Sequence, residues 1–536
     1  MREIVSPLSG IRSPFGPVTS LLAIYALGGL KPFFVNDANG AKYLDDLTGN
    51  KNLHDVWDNA STGAATCIDA DGSLKWGLHN LFVNSAVGVT QTISVTSGAD
   101  FTIRFKGTGS ITYSGAASGT LAGTGTDDIV RVEVTASTAS LVCTVSGSIT
   151  VVGVYRSDLG GMQLSSKDGQ DYVETGASPK FALRVDHSNG VPEILAEPAG
   201  TNINRYLETK VTDWDNSSST RTQLTGSYLG VFSGVRVAST GAVWNGTQTQ
   251  QMSVTSGNKV SFTAVFVEGT SGKARISVRD ATAATESIVK GSVGSLAAAA
   301  LDFGTIADVK QWTVGSVNFV SFVLTPNSTT STMSVRISPE SNTVGEDIIA
   351  IAAQVEANHA PTSLIPTSGA AATRVKDEPS RGLPDDFIQG EGSIYFEGSL
   401  GYETGGSGFP RVFQIDDGTG DNRVGLIATE STNSIRVPVA DGGVGVGAGS
   451  RVVNSGEVFK ASARYADGDL ALSVDGQDVQ ATSPASISTA LTTVRIGDTT
   501  GVTDTVRIRD FRLFPYSSPA ATPGWSDDTL ETISGA

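Results

Sequence analysis

Apolar and polar residues alternate with a period of two along most of the chain. The runs Asp100–Phe105, Ile129–Val134 and Ile149–Tyr155 are of this kind, and Gly, Ser or Asp separates them. Further runs are Val260–Phe266, Ala274–Val278, Val317–Leu324, Gly392–Glu397, Asp469–Gly476 and Val506–Phe514. Such alternation predicts short antiparallel strands with one face in a core. The chain is therefore predicted to be all-β and built of several sandwiches.

One stretch of the pattern occurs twice. Gln91–Gly98 reads QTISVTSG and Gln250–Gly257 reads QQMSVTSG, and each copy is followed by an aromatic strand, Phe101–Phe105 or Val260–Phe266. An internal repeat of this length indicates two modules of the same fold.

The segment Gln354–Asp377 marks the clearest break in the pattern. The apolar run Ile348–Val355 ends there, and Pro361 and Pro366 exclude both a helix and a central strand. We interpret the segment as an extended hinge between two sandwiches. The resulting domain prediction is an N-terminal arm, 1–58, a first jelly-roll-like sandwich, 59–165, a second, 166–378, and a different sandwich, 379–536.

Composition and charge narrow the function classes. The 536 residues include 62 glycines, only 17% are charged, and the net charge is −17. An acidic surface does not favour nucleic-acid binding, which needs clustered Lys and Arg. The apolar run Val18–Leu30 is too short to cross a bilayer and lacks the basic flank of a signal peptide. We therefore expect no membrane span, and the arm is predicted either to dock on a partner or to pack against the first sandwich.

Several phrases of the sequence resemble phrases found in tailed-bacteriophage virion proteins. These are Asp69–Lys75, Asn80–Ser85, Pro192–Ile203 and the polar residues of Gln354–Asp377. The order of Val458–Tyr465, Asp469–Gly476 and Arg509–Pro515 resembles laminin-G or concanavalin-like domains. The resemblance implies two carbohydrate-module-like jelly rolls followed by a laminin-G-like sandwich.

The resemblance also implies a function. The expected protein is a virion fibre or spike that binds host surface polysaccharide without cleaving it. It would be attached to other virion proteins through the arm, exposed on the virion surface, and homo-oligomeric, with a trimer favoured. Two alternatives stay open: a purely structural capsid or tail decoration, and a polysaccharide-degrading enzyme.

The residues themselves reveal no catalytic constellation. His54, His79, His187 and His359 are scattered, and we expect each at the surface or in a turn. No nucleophile elbow or phosphate loop is present, so no catalytic residue is assigned. Cys67 and Cys143 are interpreted as buried thiols, with a disulfide between them left open.

Two kinds of residue offer binding chemistry without defining a site. The stretch Asp416–Asn422 offers oxygen ligands for calcium, but it lacks the full EF-hand pattern and a plain hairpin turn explains it better, so neither a metal site nor a cofactor is assigned. The side chains that could stack on a sugar ring are Trp214, Trp244, Trp312 and Tyr402, but the sequence favours a core position for each of them. The carbohydrate-binding residues therefore stay unknown at this level.

Overall fold

The protein is all-β, as its alternation predicts, and its strands form three sandwiches. A computed structural model describes residues 31–36, 43–44, 52–165, 169–383, 387–402, 407–484, 486–514 and 526–535. The apolar run Val18–Leu30 lies outside these residues. No helix in the described part is long and apolar enough to cross a membrane.

The chain begins with short elements that precede the first sandwich. They are β1 Lys31–Asn36, β2 Tyr43–Leu44, α1 Leu53–Val56, β3 Asp58–Asn59, β4 Thr66–Ile68, β5 Leu74–Trp76 and β6 His79–Asn80. The first sandwich comprises β7 Gln91–Ser94, β8 Asp100–Gly107, β9 Ser110–Gly115, β10 Gly119–Ala122, β11 Gly125–Thr135, β12 Ser140–Ser146 and β13 Ile149–Arg156. A connecting region then contains β14 Lys180–Phe181, β15 Arg184–Asp186 and β16 Glu193–Ala196.

The second and third sandwiches follow. The second comprises β17 Gly200–Asn202, β18 Asp215–Ser217, β19 Thr220–Gln223, β20 Val235–Ala238, β21 Gly246–Gln248, β22 Met252–Val254, β23 Val260–Val267, β24 Lys273–Asp280, β25 Thr285–Ser292, β26 Ala297–Leu301, β27 Gly304–Val314, β28 Val317–Pro326, β29 Thr330–Ser338, β30 Asp347–Glu356 and β31 Ala372–Arg374. The third comprises β32 Pro379–Gly382, β33 Gly392–Gly401, β34 Arg411–Asp416, β35 Arg423–Thr429, β36 Ser434–Asp441, β37 Val444–Val452, β38 Val458–Ala466, β39 Asp469–Val474, β40 Gln480–Thr482, β41 Thr493–Ile496 and β42 Thr505–Phe514, with α2 Asp527–Gly535 packed against it.

The strand order explains the repeat in the sequence. The first sandwich pairs its strands as β10-β9-β12-β7 and β11-β8-β13. The second contains the same order as β25-β24-β29-β22 and β28-β23-β30. Gly98 and Gly257, which end the two copies, both have positive φ (83° and 79°) and turn the chain into the aromatic strand. The two modules therefore share one topology.

The second module carries an insertion that the first module lacks. Where the first module passes directly from β10 to β11, the second places β26 and β27 between β25 and β28. β27 pairs with β28 and extends the sheet that also contains β23 and β30. This added strand forms part of the candidate site.

The third sandwich includes strands from distant parts of the chain. β16 and β1 both pair with β42, on the edge that β33 does not use, and β3 pairs with β32. Leu53 and Trp57 lie in the core of this sandwich. The described part of the predicted arm thus contacts the third sandwich rather than the first. The predicted domain boundaries stay predictions.

The segment Gln354–Asp377 is packed between the second and third sandwiches. β31 pairs with β17, the Leu207 amide donates to Thr367, and Arg374 and Asp377 are buried. We expected an extended hinge here. The chain does leave the sheet at this point, but its polar side chains anchor it instead of leaving it exposed.

Candidate functional site

A cavity of about 170 Å³ lies between the second and third sandwiches. One wall is the face of the β27-β28-β23-β30 sheet that points away from the second sandwich's own core. The opposite wall is formed by β33 and β42 of the third sandwich. The remaining wall comes from β4, β5 and residues 360–364. A space of this size holds several waters or one small ring molecule.

Strand register builds the first wall in rows. Lys310 of β27 lies opposite Ser321 of β28, and Ser321 lies opposite Thr263 of β23. In the next row Trp312 lies opposite Phe319, with their rings stacked at 5.1 Å between centroids. Directly opposed residues of antiparallel strands share a face, so a polar row and an aromatic row line the cavity side by side.

Several buried polar atoms at this cavity have no hydrogen-bond partner among the described residues. They are Trp312 Nε1, Ser321 Oγ, Thr263 Oγ1 and, on the opposite wall, Thr505 Oγ1. Thr263 and Ser321 are almost completely buried. Buried polar groups are normally hydrogen-bonded, and a buried donor or acceptor without a partner costs about 1–3 kcal/mol. The concentration of such groups around one cavity indicates that a polar molecule, water or ligand, completes them.

The second wall presents the outer face of the third sandwich. Ser399 lies opposite Arg507, and Gly401 lies opposite Thr505, in the β33–β42 pair. Residues between them, such as Leu400 and Val506, point into the third sandwich's core. The wall therefore carries small and hydroxyl side chains together with one guanidinium group.

Lys310 spans the cavity from one sandwich to the other. A Cβ atom at Gly456 would lie 2.4 Å from Lys310 Nζ, so the amino group rests directly on the backbone of the third sandwich. No carboxylate of the described residues lies within ion-pair distance of Lys310. Burial lowers the pKa of Lys310; Asp308 acts in the opposite direction and Arg507 in the same one.

A buried ionic network forms the floor beneath the cavity. Glu197 accepts from Arg184 and Arg374, each at 2.7 Å, and Arg184 also contacts Asp377. Burial alone would raise the pKa of Glu197, but the guanidinium groups of Arg374 and Arg184 and the hydroxyl of Ser363 lower it to about 2. Both arginines therefore hold Glu197 as a carboxylate.

The network explains the phrases that resemble virion proteins. Several polar residues of Gln354–Asp377 contact one another or Glu197 of the Pro192–Ile203 phrase: Glu356 accepts from Thr362 and Gln354, and Ser363 donates to Glu197. Asn202 of the earlier phrase accepts from the Val355 amide and donates to Ile365. These phrases thus encode a junction between modules.

The carboxylates at the cavity are already paired. Burial alone would raise the pKa of Asp186, but Arg507, which donates to it at 2.6 Å, together with the Ser188 hydroxyl and the Ile68 amide, lowers it. A glycosidase acid needs a carboxyl group whose pKa is raised. Asp186 and Glu197 both have lowered pKa values, so these two residues fit ligand binding better than acid catalysis.

The four aromatic candidates have different environments. Trp214 belongs to the core of the second sandwich, and Tyr402 is buried in the third, where its hydroxyl donates to Val453. Trp244 is 44% exposed and lies away from the cavity lining. Only Trp312 of these four lines the cavity. Sequence reasoning does not identify four residues of the cavity: Lys310, Thr263, Ser321 and Thr505. The sequence does hint at Lys310, because it lies two residues before Trp312 and so shares its face of a strand.

The histidines and cysteines take structural positions. His79 is buried, contrary to our expectation of a surface or turn position, because its ring bridges strand ends: Nδ1 lies 2.8 Å from the Gly77 oxygen and Nε2 accepts from the Arg156 amide. His54 is buried as well, and His359 contacts Asp504 at 2.8 Å. Cys67 and Cys143 are buried free thiols.

The loop Asp416–Asn422 is a hydrogen-bonded turn between β34 and β35. Asp416 accepts from Gln414, the Gly418 amide and Arg495, whereas Asp417 accepts from Thr419 and Asn422. The two carboxylates therefore serve different internal donors. Among the described residues, no group of three or more His, Cys, Asp or Glu is placed to hold a metal ion.

Comparisons with known proteins give distant likenesses in fold. No protein-family model matches the chain, and no curated protein matches it. The exoplasmic/lumenal domain of VIP36, bound to Ca²⁺ and Man3GlcNAc, aligns at 15% identity over 28% of this chain and 79% of its own, with a TM-score of 0.19. Domains LG4-5 of the mouse laminin α1 chain align at 11% identity over 59% of this chain and 88% of their own, also at 0.19.

A third likeness is to Trypanosoma rangeli sialidase in complex with the inhibitor DANA. It shows 10% identity over 57% of this chain and 66% of its own, with a TM-score of 0.21. TM-scores this low support no statement about function. The strand pairing alone defines the class: an all-β protein of packed sandwiches, of which the first two share one topology.

Proposed function

We propose that this protein binds a glycan without cleaving it, and that the cavity between the second and third sandwiches takes one terminal sugar residue. The observation that carries this proposal is the cluster of partnerless polar atoms beside Trp312. Sugar hydroxyls both donate and accept hydrogen bonds, and the apolar face of the ring suits an indole.

Space for a longer chain lies next to the cavity. An open depression of about 650 Å³ is lined by the β4–β5 turn, Asp69–Ser73, and by the β27–β28 turn, Thr313–Val317. Thr313 directly follows Trp312, and Ser73 directly precedes Leu74 of the cavity wall. A glycan that ends in the cavity could therefore continue along this depression.

The biological setting of the proposal is adhesion by a phage particle. The sequence phrases that resemble tailed-phage virion proteins support it, as does the acidic, soluble composition. In this setting the protein is a fibre or spike on the virion surface, held by its N-terminal arm, and weak sites act together through several copies. Immunogold labelling of purified particles tests the setting: label on particles supports it, and label confined to the lysate contradicts it.

The binding proposal is tested with the full chain on a glycan array, followed by calorimetry. We expect Trp312→Ala to lower affinity about tenfold or more, because an aromatic contact contributes about 0.5–1.5 kcal/mol beyond the area it buries. Trp312→Phe keeps an aromatic ring but loses the Nε1 donor. Its affinity should therefore lie between those of the wild type and Trp312→Ala. Melting curves of each variant verify folding.

Trp244→Ala is the matched control, since Trp244 is exposed away from the cavity. It should leave binding unchanged. Equal loss in both tryptophan variants would contradict the cavity as the site. Absence of binding to any glycan would favour the alternative of a structural decoration, and release of sugar product would favour an enzyme.

A further inference from the structure

One cation at the cavity stands apart from the ion pairs. The carboxylates and guanidinium groups beside the cavity contact one another: Asp186, Glu193, Glu197 and Asp377 pair with Arg184, Arg374, Arg507 and Arg509, and Arg509 also lies 4.0 Å from Glu397. Lys310 is additional to this set, and it has no ion-pair partner among the described residues.

The position of Lys310 makes the unpaired charge available to a ligand. Its amino group rests on the backbone of Gly456, and it belongs to the cavity lining together with Trp312. Ser321 lies directly across the strand pair from Lys310, and its hydroxyl lacks a partner. An ammonium group, a hydroxyl and an indole N–H thus lie within two neighbouring rows of one wall.

The cations of the cavity lining differ in whether they are paired. Arg507 contacts Asp186 at 2.6 Å, whereas Lys310 has no ion-pair partner among the described residues. A carboxylate placed beside Lys310 would accept a hydrogen bond from its ammonium group. Charge-assisted hydrogen bonds of this kind are about twice as strong as neutral ones.

We infer that the sugar residue bound in this cavity is an acidic one, whose carboxylate lies against the Lys310 ammonium group while its ring lies beside Trp312. This inference rests on the proposed function. It adds the class of ligand: glycans that end in a carboxylate-bearing sugar, as opposed to neutral glycans.

The test compares sugars that differ only in the carboxylate. Methyl glucuronide is paired with methyl glucoside, and methyl galacturonide with methyl galactoside, in calorimetric titrations of the full chain at low salt. We expect at least one acid to bind about tenfold to a hundredfold more tightly than its neutral counterpart, as for a hydrogen bond to a charged group. The preference should shrink as salt is added.

Lys310→Met keeps the length of the side chain and removes its charge. It should abolish the preference, so that the acid and its neutral counterpart bind the variant with equal affinity. Lys273→Met, an exposed position on the far sheet of the same sandwich, is the matched control and should behave like the wild type.

The outcomes separate the inference from the proposal on which it rests. Equal binding of acid and neutral sugar, or a preference that survives Lys310→Met, overturns the inference that the ligand is acidic. If the affinity still depends on Trp312, the cavity remains the proposed sugar-binding site. If no member of either pair binds the wild type, both the acidic ligand and the cavity as a sugar site are overturned.

Discussion

Glu197 connects three separate stretches of the chain through one carboxylate. Its oxygens accept from Arg184 in the connecting region, Arg374 in β31, and both the amide and hydroxyl of Ser363. Removing one partner of a buried ion pair costs about 3–5 kcal/mol, because the remaining charges are left uncompensated. We therefore expect this residue to have a large effect on stability.

Glu197→Gln should lower the free energy of unfolding by about 3–5 kcal/mol at neutral pH, measured by urea denaturation. The exposed Glu174 provides the matched control, and Glu174→Gln should change stability by less than about 0.5 kcal/mol. Similar small effects in both variants would contradict the network's role.

The pH dependence of stability follows from the same carboxylate. The folded pKa of Glu197, about 2, lies below its ordinary value of 4.5, so the unfolded state takes up the proton first as the pH falls. Its stabilisation is therefore complete above about pH 5 and is lost between about pH 4.5 and 2, with a total of about 3 kcal/mol. In Glu197→Gln this part of the acid-induced loss should be absent.

Sequence reasoning identifies one residue of the candidate site, but it cannot show which residues the fold brings next to it. Trp312 was a candidate because of its side chain alone. Thr263, Ser321 and Thr505 are ordinary strand residues in the sequence, and their role depends on strand register and on the meeting of two sandwiches. Lys310 looks like any solvated lysine until its missing partner and the backbone of Gly456 are known.

At the level of single elements, the sequence predicts the β34–β35 turn but not the strand β27. The alternation predicted β28 and β23, whose inner faces are strongly apolar. β27 is less apolar, with mostly half-buried residues, and was not recognised as a strand. The turn at Asp416–Asn422 was recognised, because its Asp and Gly residues are typical of turns, and its internal hydrogen bonds now favour the hairpin interpretation.

Calcium should have no effect on the stability of the third sandwich. Asp416 is held by Arg495 and two further donors, and Asp417 is held by Thr419 and Asn422, so binding calcium would require breaking these bonds. Melting temperatures with millimolar calcium and with a chelator should therefore agree. A rise with calcium that Asp417→Asn removes would contradict this prediction.

For the whole molecule, the strand pattern predicted the class and the order of the modules. The repeat predicted that the first and second sandwiches are alike, and their strand order agrees. The pattern could not predict that β1 and β16 join a sheet of the third sandwich, since those pairs span several hundred residues and no local feature encodes them. For the same reason the sequence predicts the segment Gln354–Asp377 as an extended hinge and does not reveal its packing.

The packed junction makes a prediction about proteolysis of the intact protein. Trypsin could cleave the junction after Arg374, Lys376 or Arg381, but Arg374 is buried against Glu197 and β32 is paired with β3 and β41. We expect these bonds to resist cleavage, so that the first tryptic fragments begin elsewhere. Glu197→Gln removes the carboxylate that Arg374 contacts, and local opening should then accelerate cleavage here about tenfold or more, whereas Glu174→Gln should not. The measurement is N-terminal sequencing of the first tryptic fragments. Wild-type fragments that begin at Val375, Asp377 or Gly382 would show that the junction is an open hinge. The second and third sandwiches could then not hold a fixed cavity between them.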